Sequence, residues 1–119
     1  MLLNFRWIEE GVLAGSGKPC YVEDVEFLKI QGIQAVISLE ETNDQIYDLL
    51  RENNIAVCIF QIDATDDGEV EEKSEAELQV VYDFFVSCLL AGKPVLVHCG
   101  AGIFRTAYLV EKLKRFLDL

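Results

Sequence analysis

The segment VLVHCGAGIFRTA, from Val95 to Ala107, holds two groups that can do chemistry together: the Cys99 thiol and, six positions on, the Arg105 guanidinium. Between them lie Gly100, Ala101, Gly102, Ile103 and Phe104, all small or apolar and none charged. A loop of this make-up at a helix N-terminus points several backbone N–H groups at one spot and holds a tetrahedral oxyanion. The same N–H groups and the helix dipole favour the thiolate, the form of cysteine that attacks. Arg105 adds a planar fork matched to two phosphate oxygens. A nucleophile, an anion cradle and a bidentate cation so close together point to phosphoryl transfer through a cysteine. A leaving alkoxide or phenoxide then needs a proton, so an acid must reach the cleft from another loop.

For these groups to meet, a strand must deliver Cys99 and a helix must begin near Ile103. Val95 to Val97 reads as the strand, and from Ile103 onward Ala107, Val110, Leu113 and Leu117 recur at helical core spacing. Upstream, residues 5–15 carry Trp7, Ile8, Val12 and Leu13 in loose alternation, a first hairpin or strand. The turn GSGKP that follows lacks the GxxxxGK[ST] spacing of a nucleotide loop. Tyr21 to Gln31 fits a helix with Val22, Val25 and Leu28 on one face and Gly32 as its stop. Ile33 to Leu39 is a β-branched run, a central strand. Thr42-Asn43-Asp44-Gln45 reads as a capping box that opens a second helix to about Asn53.

Ile55 to Ile62 is a nearly continuous apolar run, typical of a buried parallel strand. The polar segment from Asp63 to Lys73 after it offers Asp63, Asp66, Asp67 and Glu69 as acids. Ser74-Glu75-Ala76-Glu77 caps a long amphipathic helix with Leu78, Val81, Tyr82, Phe85, Cys88 and Leu89 in one stripe. Strands alternating with helices imply one α/β domain over residues 1–119. Its centre is a mostly parallel four- to five-stranded sheet flanked by helices, with the ligand site at the carboxyl ends of the strands.

His98-Cys99, five residues and then Arg105-Thr106 resemble the HCx5R[ST] phosphate loop of the cysteine-dependent protein phosphatases. NFRWIEEGVLAGSGKP, from Asn4 to Pro19, and GIQAVISLEE, from Gly32 to Glu41, resemble the small atypical dual-specificity phosphatases and their archaeal relatives. The resemblance implies Cys99 as nucleophile, Arg105 as phosphate clamp and Thr106 as hydrogen-bond donor to the departing thiolate. It gives His98 the role of ordering the loop, and makes GSGKP a surface connection. QIDATDD resembles the family pattern in which the catalytic Asp follows the strand end by two or three residues. That favours Asp66 as the acid, with Asp67 second and Asp63 as a turn cap.

The chain also departs from the family. Phe104 is bulky where a small or polar residue is usual, and Ala107 stands where glycine usually follows Arg-Ser/Thr. The chain ends twenty residues after Cys99, so the C-terminal helices of the family are expected to be absent. That would leave Phe84, Leu90, Leu109 and Phe116 short of a common core, a face for homo-oligomer formation.

A formal charge of −11 and a pI near 4.4 disfavour nucleic acid and anionic membranes as partners. No apolar run is long enough to span a bilayer and the N-terminus lacks a signal pattern, so a cytoplasmic location is expected. Cys20, Cys58, Cys88 and Cys99 form no CxxC pair, and with one histidine no zinc set arises. No metal or cofactor is expected. The expected substrate is a phosphorylated protein or small phosphomonoester, phosphotyrosine first, with phosphoserine and phosphothreonine as further candidates. A phosphate-binding or interaction module with weak turnover is the second reading, and a sulfur-transfer or arsenate-type thiol activity on a similar anion loop the third. The absence of lysine between Gly100 and Phe104 argues against a phosphoinositide specialist.

Overall fold

The computed structural model describes residues 2–117. Its strands are β1 (Arg6–Glu9), β2 (Leu13–Ser16), β3 (Ala35–Ser38), β4 (Ala56–Ile59) and β5 (Val95–His98). Its helices are α1 (Val22–Gln31), α2 (Asp44–Glu52), α3 (Glu75–Leu90) and α4 (Phe104–Leu113), and a 3-10 turn, Lys114–Phe116, follows. The five strands form one sheet in the order β1-β2-β5-β3-β4. β1 is antiparallel to β2, and every other pairing is parallel. The expected α/β fold with a mostly parallel sheet is therefore present.

The register is what builds a site. His98 lies beside Ser16 of β2 and beside Ser38 of β3, so three parallel strands end flush. Whatever follows each of them in sequence is delivered to one edge: Gly17-Lys18, Leu39-Glu40 and Cys99-Gly100. Alternation divides the strands between two cores. Val95, Val97 and Cys99 face Leu78, Phe85, Leu109 and Leu113 of α3 and α4, while Leu96 and Val36 face Val25, Leu28, Ile46 and Leu50 of α1 and α2.

The helix ends follow their sequence signals, with one shift. Gly32 takes φ 87° and closes α1, and Ser74 and Glu77 form the reciprocal box that opens α3. The cap of α2 is Asn43, whose side chain accepts from the Ile46 N–H, and not Thr42. Thr42 Oγ1 instead donates to the Pro19 carbonyl at 2.7 Å, tying the start of α2 to the turn after β2.

The remaining differences have physical reasons. The Ile55–Ile62 run was expected to be a buried strand, but it supplies an edge strand with only one neighbour, so Ala56 to Ile59 are half-buried or exposed. Val22 opens α1 and is 52% exposed, so the covered face of that helix is Asp24, Val25 and Leu28. Ala107 points to solvent and is not a core position. Of the four residues expected to lack a common core, Leu109 is fully buried and Phe84 and Phe116 pack against the main core. Only Leu90 is exposed. No helix among the described residues is long and apolar enough to cross a membrane.

Candidate active site

Cys99 follows the last residue of β5 and α4 begins at Phe104, so the intervening loop wraps the thiol at a helix N-terminus. Thr106 Oγ1 donates to Cys99 Sγ at 3.1 Å. Burial pushes the thiol up. The Thr106 hydroxyl and the backbone N–H groups of Thr106, Gly102 and Ile103 outweigh burial, and the thiol lies below its ordinary value. Cys58 and Cys88, which have no such donors, are pushed up by burial. Donors that favour a thiolate in an empty loop also suit an oxyanion arriving at the sulfur.

His98 is fully buried, and its Nδ1 pairs with the Cys99 carbonyl at 3.3 Å. Burial lowers its pKa to about 4, so the ring is neutral at pH 7.

The loop carbonyls are turned outward and held by residues distant in sequence. Asn4 Nδ2 donates to the Ala101 carbonyl at 2.7 Å, Arg6 Nη1 to the Gly102 carbonyl at 2.7 Å, and the Lys18 N–H to the Gly100 carbonyl at 2.9 Å. Gly102 adopts φ 80°, and a Cβ there would stand 2.3 Å from the Ser16 carbonyl carbon and 2.4 Å from the Gly17 nitrogen. Only glycine fits. A Cβ at Gly17 would meet the Gly100 carbonyl oxygen at 2.9 Å. GSGKP is thus not a mere surface connection: Ser16 and Gly17 are buried and form the seat of the phosphate loop. α4 also comes close to the sheet at β2. A Cβ on Gly15 of β2 would lie 2.9 Å from Thr106 Cγ2.

Arg105 Nη2 meets Glu40 Oε1 at 2.6 Å, and Nη1 donates to the Ile62 carbonyl at 3.2 Å. Glu40 Oε2 meets Lys18 Nζ at 2.6 Å. The Lys18 ammonium, set against burial and joined by the Arg105 guanidinium, holds the Glu40 carboxyl below the usual range. Sequence reading missed Glu40, Lys18, Asn4 and Arg6. The first two stand just past the carboxyl ends of β2 and β3 and reach the loop through the register of those strands with β5.

The acidic segment folds back as a small hairpin closed by a bridge between Ala64 and Val70. Its tip is the turn Thr65-Asp66-Asp67-Gly68, with the Gly68 N–H donating to the Thr65 carbonyl. A Cβ on Gly68 would lie 2.8 Å from the Phe104 ring, so the tip rests on the flank of the phosphate loop. Asp66 and Asp67 are both exposed there. Asp63 sits at the hairpin base, its N–H donating to Glu71 Oε1 and its carboxylate accepting from Gln61 Nε2. Phe104, 57% exposed, is the platform between loop and hairpin. Among the described residues no cluster of three or more His, Cys, Asp or Glu is placed to hold a metal ion.

Residues 17–112 match the family model of the dual specificity phosphatase catalytic domain. Among curated proteins, none matches the sequence. Several solved structures share the fold. P. aeruginosa TpbA in complex with pTyr is 21% identical with a TM-score of 0.64, over 87% of this chain and 57% of that one. The core catalytic domain of the PP-IP phosphatase SIW14 from S. cerevisiae, in complex with citrate, is 18% identical with a TM-score of 0.73, over 98% of this chain and 68% of that one. Kinase associated phosphatase, with its catalytic-site cysteine substituted by serine, is 18% identical with a TM-score of 0.73, over 98% and 75%. The chain spans 55% and 57% of the two TpbA chains it matches.

Proposed function

Because the chain belongs to the dual-specificity phosphatase family, we propose that it hydrolyses phosphomonoesters through a cysteinyl-phosphate on Cys99. The observation that carries this is the Thr106 hydroxyl 3.1 Å from the Cys99 sulfur, inside a ring of backbone N–H groups. The thiolate attacks phosphorus as the ester P–O bond breaks, and Asp66 protonates the leaving oxygen. Arg105 and the loop N–H groups of residues 100–105 carry the charge on the transferring phosphoryl oxygens. Water then attacks phosphorus, giving its proton to the Asp66 carboxylate. Inorganic phosphate leaves, and the sulfur departs as a thiolate that accepts from Thr106. His98 orders the loop and stays neutral.

Phosphotyrosine is the first substrate to test, with phosphoserine and phosphothreonine next. The exposed apolar side chains of Ile103 and Phe104 beside the loop suit an aryl ester, and TpbA, which shares the fold, is known in complex with pTyr.

The test is aryl phosphate hydrolysis with a chelator present, for wild type and Cys99→Ser. Turnover should fall on the order of 10³-fold or more in the variant. Undiminished turnover would overturn the assignment of Cys99. Tight phosphate binding without turnover in wild type would favour the binding-module reading. Asp66→Asn should cost on the order of 10²–10⁴-fold with phosphotyrosine and far less with an activated aryl phosphate, whose oxyanion leaves unprotonated. Equal losses on both substrates would mean that Asp66 only shapes the hairpin, and a leaving-group-dependent loss at Asp67 would move the acid by one residue.

A further inference from the structure

The tip of the acidic hairpin meets the phosphate loop at one aromatic ring. A Cβ on Gly68 would lie 2.8, 2.9 and 3.0 Å from Cε2, Cδ2 and Cζ of Phe104. The glycine therefore rests against that side of the ring, with no room for a side chain between them. Gly68 is half-buried there, while Ala64 to Asp67 and Glu69 are exposed. Among the described residues no hydrogen bond or ion pair joins residues 64–70 to residues 99–105. The tip that carries Asp66 is held to the loop by an apolar contact.

The base of the hairpin stands on the same helix. The Lys73 N–H donates to Tyr108 Oη at 3.0 Å, and Tyr108 follows Phe104 by one turn of α4. Residues four apart in a helix are neighbours on one face. Base and tip of the hairpin thus both rest on the helix that begins at the phosphate loop and carries Arg105. This matters because a general acid works only within hydrogen-bond reach of the oxygen it protonates. A misplacement of about 1 Å can cost on the order of 10²-fold in rate. The bulk at position 104, where a small or polar residue is usual, has a use in this geometry.

We infer that Phe104 is the seat of the acid: its ring sets where the Asp66 turn stands over the phosphate loop, and so the reach of Asp66 to the leaving oxygen. This rests on the phosphatase reading above, with Asp66 as the acid. Phe104 acts through Gly68 and the turn, so it is a positioning residue. Its effect falls on the step in which Asp66 gives its proton to the ester oxygen as the P–O bond breaks. Gly68 suits the seat on two counts. It takes φ 86°, which glycine adopts freely, and it has no Cβ to collide with the ring. Phe104 is still 57% exposed, so the ring keeps open surface beside the loop.

The test is the dependence of kcat/KM on the leaving group, over aryl phosphates that run from an activated phenol to phosphotyrosine. Every substrate then offers the ring the same kind of aryl contact, and what varies is the need for a proton. Wild type, Phe104→Ala, Phe104→Tyr, Gly68→Ala, Asp66→Asn and the double variant Phe104→Ala/Asp66→Asn are compared. The loss in Phe104→Ala should be roughly 10-fold or more larger on phosphotyrosine than on the activated ester. Phe104→Tyr keeps the ring and should keep the wild-type dependence. Gly68→Ala pushes on the contact from the other side. It should show the same dependence by a smaller factor, and it carries the test if Phe104→Ala does not fold. In the Asp66→Asn background, Phe104→Ala should add no further leaving-group dependence, because the seat acts through Asp66. A Phe104→Ala loss of equal size on all substrates overturns the inference, since the ring would then serve the cradle or the substrate. So does a leaving-group dependence that persists undiminished in the double variant, or a Phe104→Tyr that behaves as Phe104→Ala. If Asp66→Asn itself loses equally on all substrates, the acid reading fails and takes this inference with it. A leaving-group-dependent loss at Asp66, with none in Phe104→Ala or Gly68→Ala, sinks this inference alone.

Discussion

At the residue scale, His98 ties the Cys99 loop to the stability of the fold. It is the one histidine in the chain, fully buried, with Nε2 lacking a partner among the described residues. Burial lowers its pKa from 6.5 to about 4. Between those values the unfolded chain binds a proton that the folded protein does not, so stability falls as pH falls through this window. Over the whole window the loss approaches about 3 kcal/mol. Glu40, Glu71, Glu75 and Glu77 are all held below 4.5, so their stabilising pairs are lost only at lower pH. Urea unfolding should therefore show wild-type stability dropping between pH 6.5 and 4.5, and His98→Asn should flatten that drop. The same slope in both proteins would show that His98 is not its source.

At the element scale, the phosphate loop depends on the turn after β2 as much as on α4. Gly102 presses on the backbone of Ser16 and Gly17, so Gly102→Ala forces the two loops apart. Overpacking of this kind costs about 1–3 kcal/mol, and the added strain at positive φ comes on top. The variant should lose vanadate binding at least about 10-fold while melting only modestly lower, since the two main cores are untouched. Full retention of vanadate binding would mean that the turn does not shape the cradle. The HCx5R[ST] loop itself was legible because strand, glycine loop and helix start are contiguous and each has a local signal. Lys18 and Glu40 come from the ends of β2 and β3, and only the flush register with His98 brings them to the loop. That register is not written in any one segment. Ile55 to Ile62 misled for a related reason: apolar content cannot tell an edge strand from an interior one, because strand order is a property of the whole sheet.

At the scale of the whole molecule, the proposed function lets charge act on a phosphoester before any contact is made. The formal charge is −11, and the hairpin resting on Phe104 adds exposed Asp63, Asp66, Asp67, Glu69, Glu71 and Glu72 beside the loop. Lys18 and Arg105, the cations at the mouth, are both paired with Glu40. An approaching phosphopeptide therefore meets a negative field until its phosphate reaches the loop N–H groups. Basic flanks should offset that field and acidic flanks should add to it. For matched phosphotyrosine peptides with lysine or glutamate on either side, kcat/KM should favour the lysine peptide by about 10-fold or more at low salt. The Debye length is about 10 Å at 0.1 M salt and about 3 Å at 1 M, so the preference should shrink steadily as salt is added. The difference should lie mainly in KM, because the flanks do not touch the reacting atoms. A preference that survives at 1 M salt would point to short-range pairing between the flanks and hairpin carboxylates. A preference for the glutamate peptide would mean that the hairpin does not border the path of the substrate.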